Sequence, residues 1–296
     1  MQKIYLSDAG PKVSPAVYGF YRWNMVDNIS STMERTVNLC LELGINTFDH
    51  GDSYGSYHCE EAFGELLNKK IFKREDVVLF TKCGLKTPNG KDSDTRVPHY
   101  NTSGEHIIKS VESSLKKLKT DYIDIFLLDH LDPISDLGAT AQALENLKKS
   151  GKIRNIGIAN FSVFQHQLLA TYLNTPIVTN HIELNLLNVQ ALDNGQIDYI
   201  KQRYMRPMAS TPLAGGRIAT GEDEQARRVR KKLEEISPKY NVDIESVAAA
   251  WLIKLGALPL IGTTEETRIR NIANAFSINL DHQDWFDLYN TSRGVL

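Results

Sequence analysis

Short uninterrupted apolar runs alternate with longer amphipathic stretches along nearly the whole chain. The runs are Ala16 to Phe20, Ile45 to Asp49, Val77 to Lys82, Tyr122 to Leu128, Ile153 to Ala159, Ile177 to His181, Pro207 to Ser210 and Leu258 to Gly262. They carry Val, Ile, Leu and Phe without strict polar alternation, as strands buried on both faces of a parallel sheet do. Between them, Thr32 to Leu43 aligns Val37, Cys40 and Leu41 and meets a stop at Gly44. Ser103 to Lys117 carries Ile107, Ile108, Val111 and Leu115 at helical spacing, Asp136 to Lys149 ends at Gly151, and Ser162 to Leu173 opens on a serine cap. Glu222 to Tyr240 is strongly charged, and Asp243 to Leu255 is apolar around Val247, Ala250, Trp251 and Leu252. Eight strand signals in strand–helix order predict an α/β protein, a closed (β/α)8 TIM barrel. Ahead of it, Lys3 to Leu6, the turn Asp8-Ala9-Gly10-Pro11 and Val13 read as an N-terminal β-hairpin. An open doubly wound sheet is the alternative, but no Gly-x-Gly-x-x-Gly follows an early strand. No repeat or composition break divides residues 1–296, so one barrel domain is expected.

At 296 residues the chain should remove roughly 75% of its unfolded surface from water, so no disulfide or metal staple is needed. Lys+Arg at 34 against Asp+Glu at 36 argues against a nucleic-acid partner bound through a basic face. The basic run Arg227 to Lys232 lies between Glu222-Asp223-Glu224 and Glu234-Glu235, which marks a solvated helix. Cys40, Cys59 and Cys83 have no metal-ligand spacing, so no metal site is expected. Cys83 reads first as a small semi-buried residue at a strand end, with a reactive thiol as the other reading. The N-terminus has no apolar signal region and no stretch approaches a membrane span of about 20 residues. A cytoplasmic protein with no membrane partner is expected. No apolar helix announces a partner chain, which leaves a monomer or a weak homo-oligomer.

Chemistry in such a barrel sits where strands end and loops begin. Those positions are Asp49, Lys82, Asp129 with His130, Asn160, His181 and Ser210. The sharpest signal is Phe48-Asp49-His50-Gly51-Asp52-Ser53-Tyr54-Gly55 paired with Phe80-Thr81-Lys82-Cys83-Gly84. A tyrosine is a weak acid of pKa near 10, and an ammonium nearby favours its phenolate. Asp49 would hold Lys82 charged and in place, and Tyr54 would protonate a carbonyl oxygen as hydride reaches carbon. The bland alternative is a loop tyrosine beside an ordinary surface ion pair.

Over essentially its whole length the chain resembles the aldo-keto reductase family, closest to the bacterial branch without very long loops. The resemblance rests on the hairpin, the Asp49–Tyr54 motif, Thr81-Lys82, Gly157-Ile158-Ala159-Asn160-Phe161, Pro212-Leu213-Ala214-Gly215-Gly216-Arg217 and Ile261-Gly262-Thr263, all in family order. It implies a nicotinamide-dependent carbonyl reductase that binds NADP, with NAD less favoured, and acts on a small-molecule carbonyl. Asp49, Tyr54 and Lys82 match three of the family's four catalytic residues. The fourth, a histidine, is replaced by Asp129, with His130 one residue late. One step along a strand turns a side chain to the other face, unless a bulge re-aims it. An ionised Asp129 beside Tyr54 would oppose Lys82, so a weaker site or one tuned to another substrate is expected.

The cofactor segments depart from the family pattern as well. Asn160 matches the carboxamide clamp, but Ala159 replaces a serine and His181 a glutamine, and Ser210 replaces the ring that stacks on nicotinamide. The loop with Leu213, Gly216 and Arg217 would run along the cofactor. Gly262, Thr263 and Arg268 correspond to the adenosine 2′-phosphate region, where Glu265 replaces a lysine. Arg22 and Trp23 follow the first barrel strand and are candidate substrate contacts at the mouth. His99 and Tyr100 read as loop residues first. Two functions stay open: a carbonyl reductase with Tyr54 as acid, or a degenerate barrel with weak or no turnover acting as a nucleotide-binding sensor or binding module.

Overall fold

The computed structural model describes residues 1–23, 26–88 and 95–295, with Tyr57 described by its backbone alone. The predicted hairpin is present as β1 (Ile4–Tyr5) and β2 (Lys12–Val13), paired antiparallel with Ile4 opposite Val13. Next come β3 (Val17–Gly19), β4 (Thr47–Asp49) and β5 (Val78–Cys83). A short antiparallel ribbon, β6 (Leu85–Lys86) with β7 (His99–Tyr100), stands apart from the barrel. The chain then adds β8 (Ile123–Asp129), β9 (Ile153–Ala159), β10 (Ile177–Glu183), β11 (Met208–Ser210) and β12 (Leu258–Ile261). The eight barrel strands pair in parallel in chain order, and β12 closes onto β3. Each lies within a few residues of its predicted run.

Period-two alternation explains what fills the barrel. Phe80 of β5 and Leu127 of β8 face inward and join Leu6 and Val13 of the hairpin, Val17, Ile125, Val178, Met208 and Leu258 in one buried cluster. The hairpin thus plugs the end of the barrel away from the strand tips. Two residues further on, the same inward rows carry Lys82 and Asp129, so the layer above the apolar plug is polar. In β10 the register against β9 shifts between Ile177 and Asn180. That irregularity lets Val178 and His181, three residues apart, both turn inward, which strict alternation forbids.

The helices start where the caps said they would. Ser103 accepts from the His106 amide ahead of helix Gly104–Leu118. Asp136 accepts from the Gly138 and Ala139 amides ahead of Leu137–Lys149. Ser162 and Gln165 form a reciprocal capping box at Val163–Ala170, a helix shorter than predicted at its C-terminal end. The helices Cys59–Asn68 and His282–Arg293 were not evident from the sequence pattern. Among the described residues no helix is long and apolar enough to cross a membrane.

Candidate active site

The strand tips bring a carboxylate and an ammonium together with no water between them. Asp49, at the end of β4, is fully buried, and Lys82, near the end of β5, is 5% exposed. Lys82 Nζ donates to both Asp49 oxygens, at 2.6 and 2.8 Å, and to the His50 carbonyl at 2.7 Å. All three ammonium protons therefore have acceptors, which is the condition for keeping a charge there. Burial raises the Asp49 carboxyl's pKa, and the Lys82 ammonium opposes the rise.

Tyr54 follows the turn after β4 and lies with its ring 4.5 Å from Lys82 Nζ, measured to the ring centre. Tyr21 meets the same ring edge-on at 5.3 Å. The expectation that Lys82 makes Tyr54 a stronger acid is corrected here. Burial, then the charges of Asp49 and Asp129, raise the phenol's pKa well above its ordinary value. Lys82 is bonded to Asp49 and the His50 carbonyl, and its charge beside the ring does not outweigh burial and the two carboxylates.

Asp129 ends β8 opposite Ala159 of β9. Its Oδ1 accepts from Asn160 Nδ2 at 2.8 Å, and His130 Nδ1 lies at the same distance. Burial works to raise the Asp129 carboxyl, but the His130 contact, the Lys82 charge and the Asn160 hydrogen bond hold it below the usual carboxylate range. His130 does not point to the opposite face, contrary to the expectation from strand alternation. The β8–β9 register runs without a bulge to Asp129, and His130 then adopts φ +63°. That left-handed step leaves the strand geometry and returns the ring to the cavity wall. The ring stacks on Tyr100 at 4.5 Å and 9°, so β7, expected as loop, supports it. Gly84 makes the close approach possible: its φ is +136°, and a Cβ there would sit 2.4 Å from the Asp129 carbonyl oxygen.

Tyr54, Lys82, Asp129, His130 and Asn160 border a cavity of about 510 Å³, with Asp49 behind Lys82 and off its surface; the cavity also reaches Arg22, His181, Glu183, Ser210, Leu213, Gly216, Gly262, Thr263 and Arg268. His181 is 3% exposed, and burial followed by the Lys82 charge lowers its pKa well below the ordinary value, so its ring is neutral. Its Nδ1 is 3.9 Å from Asp49 Oδ1, and its Nε2 has no partner among the described residues. Arg268 lines the cavity while its Nε donates to Glu245 at 2.7 Å.

Two expected residues lie elsewhere. Trp23 is 1% exposed, donates Nε1 to the Tyr18 hydroxyl and packs edge-on against Phe20, so it is core and not mouth. Tyr18 in turn donates to the Thr263 carbonyl at 2.9 Å, so Trp23 supports the wall from behind. Arg217 is turned to Asp223, 2.9 Å away, and does not border the cavity. Cys83 is buried and its thiol is pushed well up by burial, in keeping with the inert reading. Tyr21, Leu85 and Glu183 border the cavity and were missed. Glu183 was within reach, because it extends β10 by two residues beyond the predicted end.

Comparisons with known proteins agree with the barrel fold. A family model described as Aldo/keto reductase family matches residues 17–290. The chain is 36% identical over 297 residues to an uncharacterized oxidoreductase, YcsN, of Bacillus subtilis (strain 168), covering 99% of each protein. It is equally identical, over the same length and shares, to a 6-dehydroglucose reductase of Agrobacterium fabrum. The fold matches a thermostable aldo-keto reductase solved with the inhibitor epalrestat at a TM-score of 0.85 and 21% identity, covering 98% of this chain and 100% of that one. A closed parallel barrel with this end-to-end match to oxidoreductases places the chain in the aldo/keto reductase family, as an NAD(P)H-dependent oxidoreductase.

Proposed function

We propose that the protein reduces an aldehyde or ketone to an alcohol with NADPH, Tyr54 serving as the general acid. The observation that carries this reading is the buried Asp49–Lys82 pair under the Tyr54 ring, with Lys82 and Tyr54 lining the same cavity as Arg268. The lining fits a dinucleotide. His181 Nε2 and Thr211 Oγ1 are buried polar atoms awaiting partners, and Asn160 adds a carboxamide beside them. Thr263, Thr264 and Arg268 in the same lining offer donors for a phosphate, which supports NADPH over NADH.

When bound, the nicotinamide supplies a hydride to the carbonyl carbon. Tyr54 passes its phenolic proton to the carbonyl oxygen and is reprotonated from solvent, so the product is a neutral alcohol. Its raised pKa keeps that proton on the ring until the substrate oxygen becomes basic enough to take it. Lys82 faces the phenol ring and stabilises the negative charge that Tyr54 acquires, and Asp49 fixes Lys82 against the strand. Asn160 and the free Nε2 of His181 would hold the carboxamide of a bound nicotinamide.

Replacing Arg268 by Gln tests the cofactor end. The KM for NADPH should rise at least about tenfold while that for NADH changes little, as removal of a charge-assisted phosphate contact requires. Equal effects on both cofactors count against a 2′-phosphate contact at Arg268. Cofactor binding without oxidation across a range of aldehydes favours the sensor reading instead.

A further inference from the structure

The charged groups that line the cavity differ in how far they are already engaged. Its cationic lining residues are Arg22, Lys82 and Arg268. Lys82 is fully engaged by Asp49 and the His50 carbonyl, Arg22 donates to the Gly215 carbonyl, and Arg268 donates to Glu245. The carboxylates Asp129 and Glu183 line the same cavity, Asp129 beside His130 and Asn160. Asp129 Oδ1 accepts from Asn160 and lies 2.8 Å from His130 Nδ1, and Oδ2 has no hydrogen-bond partner among the described residues. Its side chain is 16% exposed, enough for one oxygen to meet a small molecule in the cavity. A carboxylate with a free oxygen in a confined site gains from a hydroxyl or ammonium donor and is penalised by another anion.

We propose that Asp129 is a specificity-determining residue that selects carbonyl substrates bearing a hydroxyl or ammonium donor beside the carbonyl and turns away those bearing a carboxylate. The proposal rests on the reductase reading of the same site. His130 acts as a positioning residue: clamped between Tyr100 and Asp129, it fixes which carboxylate oxygen stays free. Ionised Asp129 also explains why a residue that opposes phenolate formation is tolerated. A donor on the substrate satisfies Oδ2 once the complex forms, and an apolar substrate leaves that oxygen covered and without a donor. A site built around a donor rejects analogues lacking it more strongly than an apolar pocket rejects a size change.

The test is kcat/KM with NADPH for two matched pairs, glyceraldehyde against propanal and succinic semialdehyde against butanal. Each ratio is taken within one protein, so a uniform loss of turnover cancels. The wild type should favour glyceraldehyde and disfavour succinic semialdehyde, each by at least about tenfold. Asp129→Asn should relieve the penalty on the anionic aldehyde about tenfold while keeping part of the hydroxyl preference, because an amide still accepts one hydrogen bond. Asp129→Ala should lose both, and Glu183→Gln, at an exposed position, should move them less. Wild-type ratios near one, or ratios unchanged in both Asp129 variants, overturn the proposal and leave the reductase reading standing. A wild type that reduces none of the four aldehydes overturns that reading and the proposal together.

Discussion

Lys82 is the residue on which the site is built, and its buried amine is bonded directly to the Asp49 carboxylate. Removing one member of a buried ion pair strands the other, at a cost of about 3–5 kcal/mol. Lys82→Met and Asp49→Ala should each destabilise the fold by roughly that amount in denaturant titrations, besides lowering turnover. A loss below about 1 kcal/mol would mean that the pair is reached by solvent. Tyr54 carries a raised pKa, so an alkaline limb from its ionisation should be absent: kcat should not fall through loss of the Tyr54 proton below pH of about 10. Asp52 offers a cleaner titration. Burial, then the charge of Glu60, pushes its carboxyl up to about 7 against an ordinary 3.8. The unfolded chain therefore releases this proton first, and the contribution of Asp52 to stability falls as pH rises from about 4 through 7. Asp52→Asn should remove that fall. Variant minus wild type should grow by about 1–2 kcal/mol across the window, allowing for partial exposure. At this scale the residue types were legible: Asp49, Tyr54 and Lys82 sit at strand tips where a barrel collects chemistry. The sign of the Tyr54 shift was not, because it depends on which carboxylate Lys82 reaches first. The direction of His130 was not either, since one positive φ overrides strand alternation.

The elements were read from two periods and a handful of caps. Buried parallel strands announce themselves as apolar runs, and Ser103, Asp136 and Ser162 announce helix starts through the hydrogen bonds they make. Helix Cys59–Asn68 was hidden because its buried face includes Glu60, whose Oε1 accepts from the Thr81 hydroxyl at 2.7 Å. A buried glutamate breaks the apolar stripe that pattern reading looks for. The same helix crosses Gly104–Leu118 closely at Gly64, where a Cβ would come within 2.1 Å of the Lys117 carbonyl oxygen. Backbone cannot yield as a side-chain tip does. Gly64→Ala should therefore cost about 1–3 kcal/mol in spite of the better helix propensity of alanine. A stabilised variant, measured by urea midpoint, would show that the two helices have room to part. The register shift in β10 left no mark in the sequence, because Val-Thr-Asn-His reads equally well in either register.

At the scale of the whole molecule the barrel turns chain order into a ring of tips, so residues 49, 82, 129, 160 and 181 meet although they are scattered along the sequence. Closure of β12 onto β3 also brings the Gly262–Arg268 segment beside the first strand, where Tyr18 bonds to Thr263. The ring was predictable from eight strand signals. Its inner shape was not, because Trp23 and Arg217 are assigned to core or surface by loop paths that no periodicity encodes. The measurement that most directly tests the central claim uses NADPH carrying deuterium at the transferable position, with an aldehyde, for wild type and Tyr54→Phe. Wild type should place deuterium on the carbinol carbon. The variant should bind NADPH with unchanged affinity yet turn over at least about a hundredfold more slowly, as expected for loss of a general acid. Product without deuterium, or undiminished turnover without the Tyr54 hydroxyl, would contradict the account.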